Sequence, residues 1–105
     1  MAGSSKNFPA YMPILDGKNY DKWYIEMEVI FEFQQVSDIV KNGYKELGQN
    51  PTEAEKTAYS LAKKKDADTL LLIQHCVDSA NFQKIASSPS SKHAWDVLNK
   101  FYTSE

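Results

Sequence analysis

Apolar residues recur at helical spacing in several stretches of this chain, and no run alternates apolar with polar residues long enough to argue for a sheet. Placing residues at about 100° steps from Tyr20 to Gln35 puts Tyr20, Trp23, Tyr24, Met27, Ile30 and Phe31 on one wide stripe. A second apolar line, Ile25, Val29, Phe33 and Val36, falls on the opposite side. Asp21, Glu28 and Glu32 fill one boundary between the lines, and Lys22 and Glu26 fall around the other. A helix with two apolar faces is either central in a bundle or covered on one side by another element.

The obvious cover lies just upstream. Phe8-Pro9-Ala10-Tyr11-Met12-Pro13 has two prolines that forbid a helix interior, yet carries three large apolar side chains. Residues 1–13 therefore read as an extended apolar arm, 14–102 as a helical domain and 103–105 as a tail. Asp16-Gly17 reads as a turn, with Asn19 as N-cap of the first helix. Mutual cover between Phe8, Tyr11 and the line Ile25, Val29, Phe33 is the favoured expectation, because monomers rarely leave such patches open. The alternative is an exposed patch that recruits a partner.

Further helices follow. Ser37 to Asn42 reads as a short second helix ended by Gly43. Thr52-Glu53-Ala54-Glu55 is a capping box, in which the Thr hydroxyl and the Glu side chain satisfy each other's backbone amides. It opens a long third helix, about Glu53 to Val77, whose inward face reads Ala54, Ala58, Leu61, Ala62, Thr69, Leu72, Ile73 and Cys76. A short helix is expected around Asn81 to Ala86. A last one, capped by Ser90 or Ser91, carries Ala94, Trp95, Leu98, Phe101 and Tyr102 at helical spacing. The expected fold is all-α: a compact bundle of about five helices, three long and two short, behind the arm.

Composition agrees with one small core. The chain has 105 residues, 42% of them hydrophobic, and a domain of this size removes roughly two thirds of its unfolded surface from water. No stretch reaches the roughly eighteen apolar residues of a membrane helix, and the N-terminus lacks an apolar run suited to a secretory signal. A single cysteine allows neither an internal disulfide nor a Cys-based zinc site within one chain. The cytosol, or the nucleus, is the expected compartment. The net charge is −2 and all twelve basic residues are lysines. Without arginine there is no bidentate fork for bases or phosphates, so sequence-specific nucleic-acid binding, RNA included, is not expected of these residues, and only weak, non-specific attraction through lysines stays open.

Catalysis has little to stand on, and no enzyme activity, metal or cofactor is expected. His75 and His93 fall on different helices outside any metal-binding spacing, and Cys76 lies on a core-facing stripe. The four glycines are scattered rather than gathered into a phosphate loop. Lys56, Lys63 and Lys64, with Lys65, form the one basic cluster, but they spread around the helix and Asp66 and Asp68 follow at once. Such a run reads first as a solvated helix face and only second as a weak nucleic-acid contact.

The aromatic helices carry a resemblance. Leu15-x-Gly17-x-Asn19-Tyr20-x-x-Trp23-x-x-x-Met27-x-x-x-Phe31 resembles the opening signature of Gag polyproteins from plant copia-type LTR retrotransposons. Ile39-Val40 before Gly43-Tyr44, Asp66-Ala67, Leu72-Ile73, Val77-Asp78 and Ser91-x-x-Ala94-Trp95-x-x-Leu98-x-x-x-Tyr102 continue it in order. The similarity covers about residues 12–102. One departure is Ser37, near which the family often places a tryptophan. The family's zinc knuckle of Cys and His has no counterpart within these residues. The resemblance implies a capsid N-terminal lobe that self-associates in a particle shell. It also admits a domesticated descendant, an adaptor that takes a peptide or host protein between the arm and helix one.

Overall fold

The computed structural model describes residues 11–104. It contains five helices: α1 (Tyr20–Phe33), α2 (Ser37–Asn42), α3 (Glu53–His75), α4 (Ser79–Ile85) and α5 (Ser91–Thr103). Among the described residues there is no strand, only one parallel bridge between Leu15 and Val77. Among the described residues no helix is long and apolar enough to cross a membrane.

Local chemistry sets most of the boundaries. At α3 the Glu55 amide donates to the Thr52 hydroxyl at 3.0 Å, and the Thr52 amide donates to the Glu55 carboxylate at 2.8 Å. Asp78 caps α4 through the Asn81 amide (3.0 Å), and Ser90 caps α5 through the His93 amide (3.1 Å). Asn19 holds the N-cap position of α1 but does not cap it with its side chain. That amide instead accepts from the Asp16 backbone (3.0 Å) and donates to the Ile14 carbonyl (2.8 Å). It fastens the turn in which Gly17 takes φ +89°, a conformation that favours glycine.

The end of α1 departs from the expected Gln35. Gln35 adopts φ +61°, its amide donates to the Glu32 carbonyl and the Val36 amide to the Phe31 carbonyl. This pair of bonds is a Schellman closure, here on a non-glycine residue. It reverses the chain, so Val36 leaves the outer line to which helical spacing assigns it and turns into the core.

The core is formed by Leu15, by Trp23, Met27 and Phe31 of α1, Ile39 and Val40 of α2, Leu72 and Ile73 of α3, Ile85 of α4, and Ala94, Trp95 and Leu98 of α5. Helix α5 packs against α2, α3 and α4. Its Trp95 meets α1 through three rings, edge-on to Phe31 at 4.9 Å, stacked on Tyr24 at 5.3 Å and tilted against Trp23 at 5.5 Å. Phe101, expected on the same inward spacing, is exposed, with the Lys84 ammonium 4.3 Å above its ring.

Helix α3 splits in two. From Asp66 onward its inward face is buried, whereas Ala54 and Ala58 are exposed and Leu61 is 64% exposed. The expected inward face therefore holds only for the second half. The first half runs past the other helices, touched mainly by the loop after α2, where Tyr44 meets Tyr59 at 5.8 Å.

Candidate functional site

The residues of the aromatic signature gather in one place. Leu15, Trp23, Met27, Phe31, Leu72, Ile73, Ala94, Trp95 and Leu98 are all buried, Tyr20 and Tyr102 are half-buried, and Gly17 is exposed. Leu15 is held by two backbone bonds, its amide to the Cys76 carbonyl and the Asp78 amide to its own carbonyl, both 2.9 Å. The Cys76 carbonyl also accepts the Trp23 indole N–H at 2.8 Å. Asn81, fully buried, donates to the Leu15 carbonyl (3.3 Å) and accepts the Tyr102 hydroxyl (2.6 Å). Tyr20 stacks on Tyr102 at 5.1 Å and donates its hydroxyl to Asn99 at 2.6 Å. The signature is thus a structural latch that ties the segment before α1 to the α3–α4 junction and the end of α5.

A second polar device lies at the other end of α5. Asp66 is 4% exposed and its carboxylate accepts both the amide (3.0 Å) and the hydroxyl (2.6 Å) of Ser91. A carboxylate at a helix N-terminus satisfies a free amide and opposes the helix dipole. Asp66 and Ser91 both belong to the signature, but nothing in their sequence spacing says that they meet. Asn81 and Asn99 were missed for the same reason: short polar residues are ordinarily read as surface or caps.

The chemically reactive residues are kept apart. Cys76 is fully buried, and burial pushes its thiol up to about 12. At neutral pH it is a protonated thiol with no access to solvent, unsuited to nucleophilic attack. His75 beside it is exposed. His93 is exposed as well, with Nδ1 2.9 Å from the Ser88 hydroxyl. Among the described residues no group of three or more His, Cys, Asp or Glu is placed to hold a metal ion.

The outward line of α1 is open. Ile25 and Val29 are each 63% exposed and Phe33 77%. Tyr11, the described end of the arm, is itself 60% exposed, with its hydroxyl 3.4 Å from the Glu26 carboxylate at the rim of the line. It marks the edge of the patch rather than covering it; Phe8 lies outside the described residues. Acidic groups dominate the rim. Burial, and for Tyr24 a hydrogen bond with Glu28, hold the phenols of Tyr20 and Tyr24 above the ordinary tyrosine range. Glu28 also pairs with Lys41 at 3.2 Å and raises its ammonium.

The lysine cluster does not converge. Lys56 pairs with Glu53 at 3.3 Å, Lys64 with Asp68 at 3.4 Å, and Lys63 lies 5.8 Å from the Tyr59 ring centroid. Next to it a hollow opens between α2 and α3, where Ile39, Tyr44, Leu61 and Ala62 are joined by the polar Asp38 and Lys65. The candidate site is therefore a set of surfaces, not a cleft: an apolar ridge on α1 and a mixed hollow beside α3. No protein-family model, curated protein or solved structure matches this chain.

Proposed function

We propose that this chain is a non-enzymatic assembly module, akin to the capsid N-terminal lobe of a copia-type retrotransposon Gag, that binds other copies of itself weakly and repeatedly. The observation that carries the reading is the outer face of α1, where Ile25, Val29 and Phe33 stand in solvent while the opposite face fills the core. A monomer with no partner gains nothing from three large apolar side chains on one exposed line. Three residues bury too little surface for a tight dimer, which needs about 800 Å² per partner. They suit a shell, where many weak contacts are multiplied by valency.

Sedimentation velocity over a concentration series tests this. The chain should be monomeric at about 10 μM and show rising average mass near 1 mM, a contact of roughly 4 kcal/mol. A strictly monomeric protein at the highest concentration, or a tight discrete dimer at the lowest, contradicts the shell role.

A second reading is supported by the Tyr11–Glu26 contact, which sets the end of the arm beside the ridge. In it the module is a domesticated adaptor, and a peptide or partner protein lies along α1 next to the arm. Removing residues 1–13 then changes peptide capture without changing self-association; the reverse result favours the shell. Binding to RNA through Lys56, Lys63 and Lys64 predicts affinity that falls steeply with salt, and no binding at low salt removes it.

A further inference from the structure

One pair of neighbours carries a chemistry that neither the core nor the α1 ridge uses. Of the six asparagines, only Asn42 precedes a glycine; the others are followed by Phe8, Tyr20, Pro51, Phe82 and Lys100. Asparagine is a thermally labile residue, and how labile depends on the amide that follows it. That backbone nitrogen, once it sheds its proton, attacks the side-chain carbonyl carbon. A five-membered imide closes and ammonia leaves. Water then opens the ring at either carbonyl, giving aspartate or isoaspartate. A side chain on the attacking residue obstructs ring closure, and glycine has none.

The fold holds both reacting groups. Asn42 is the exposed last residue of α2, and Gly43 follows it at φ +75°. The Gly43 amide, which supplies the nucleophile, donates to the Ile39 carbonyl at 2.9 Å. The Asn42 side-chain amide, whose nitrogen departs, donates to the Asp38 carboxylate at 2.9 Å. Attack requires both bonds to break, which amounts to opening the last turn of α2. Helix ends are where such opening costs least.

We infer that Asn42–Gly43 is a deamidation site gated by the last turn of α2, and that its product loosens this helix. An aspartate at 42 replaces a donor to Asp38 with a second negative charge four residues on, at the negative end of the helix dipole. Isoaspartate also adds a backbone methylene ahead of Gly43, which displaces the turn. Helix α2 carries the buried Ile39 and Val40 and packs against α5, so the modification reaches the core.

Peptide mapping by mass spectrometry tests it on the full chain, kept dilute in mildly alkaline buffer with and without urea. Conversion is read from the mass gained when an amide becomes an acid. In urea Asn42 should convert ahead of every other asparagine; in the folded chain it should convert at least about tenfold more slowly. Asp38→Ala, which removes the side-chain anchor, should speed the folded reaction several-fold and leave the urea rate unchanged. If that variant fails to fold, hydrogen exchange at the Gly43 amide of the parent replaces it: deamidation should be slowed by at least the factor that protects this amide. Asn42→Asp, a copy of one product, should unfold at a lower urea concentration than the parent. Faster conversion of another asparagine in urea overturns the site. Equal rates in the folded and unfolded chain, a folded rate unchanged by Asp38→Ala, or slowing that falls short of the amide's protection overturns the gate. An Asn42→Asp midpoint at or above the parent's overturns the loosening of α2.

Discussion

Helix α1 presents two apolar faces that differ only by a step of two residues and meet opposite fates. Trp23, Met27 and Phe31 have no solvent exposure, whereas Ile25, Val29 and Phe33 are 63%, 63% and 77% exposed. Both lines have large side chains and regular spacing, so hydrophobicity does not separate them. The difference lies in what faces them: Trp95 of α5 offers a ring to the inner line, and no described element lies over the outer one. An apolar stripe marks a surface that wants a partner; the fold decides whether the partner is inside the molecule.

Breaking the inner face should have the largest effect. Trp23→Ala removes a fully buried ring, its bond to the Cys76 carbonyl and its contact with Trp95. The expected loss is about 3–5 kcal/mol of folding stability, read by urea denaturation. A loss below about 1 kcal/mol would mean the inner face is not the core. Next comes Asp66→Ala, which strands the Ser91 amide and hydroxyl in a buried site. That should cost about 2–3 kcal/mol, and loosening of α5 before the rest in hydrogen exchange would sharpen the assignment.

Alkaline pH probes the same side more gently. The Cys76 thiol ionises near 9 when unfolded and about 12 in the fold. A raised folded value means the stabilisation is complete below pH 9 and drains as pH climbs towards 12. The slope is at most about 1.4 kcal/mol per pH unit. Cys76→Ala should lower stability at neutral pH yet flatten this slope, leaving the part due to the raised tyrosines Tyr20, Tyr24 and Tyr44. An unchanged slope contradicts the burial of the thiol. The smallest folding effect belongs to the outer face: Val29→Ser should move stability by no more than about 0.5 kcal/mol.

Helix positions were legible because their signals are local. The Thr52–Glu55 box, Ser90 and the spacing of Trp23, Met27 and Phe31 act within a turn or two, and the five helices stand close to where the pattern puts them. What escaped the pattern depends on neighbours distant in sequence. Val36 turns inward because Gln35 reverses the chain. Leu61 is 64% exposed because the hollow between α2 and α3 leaves it unpacked. Asp66 is buried because Ser91 arrives to meet it, 25 residues on. The candidate site was half legible: Ile25, Val29 and Phe33 stood out as a second stripe, but their spacing is equally that of a covered helix, and only the packing leaves them open.

The central claim is that the inner face of α1 serves folding and the outer face serves contact between copies. An NMR dilution series, from about 1 mM down to about 20 μM, following every backbone amide, tests it most directly. Concentration-dependent shifts should cluster at Ile25, Val29 and Phe33, while amides of the buried latch around Leu15 and Asn81 stay still. Shifts confined to other surfaces, or none across the range, would contradict it.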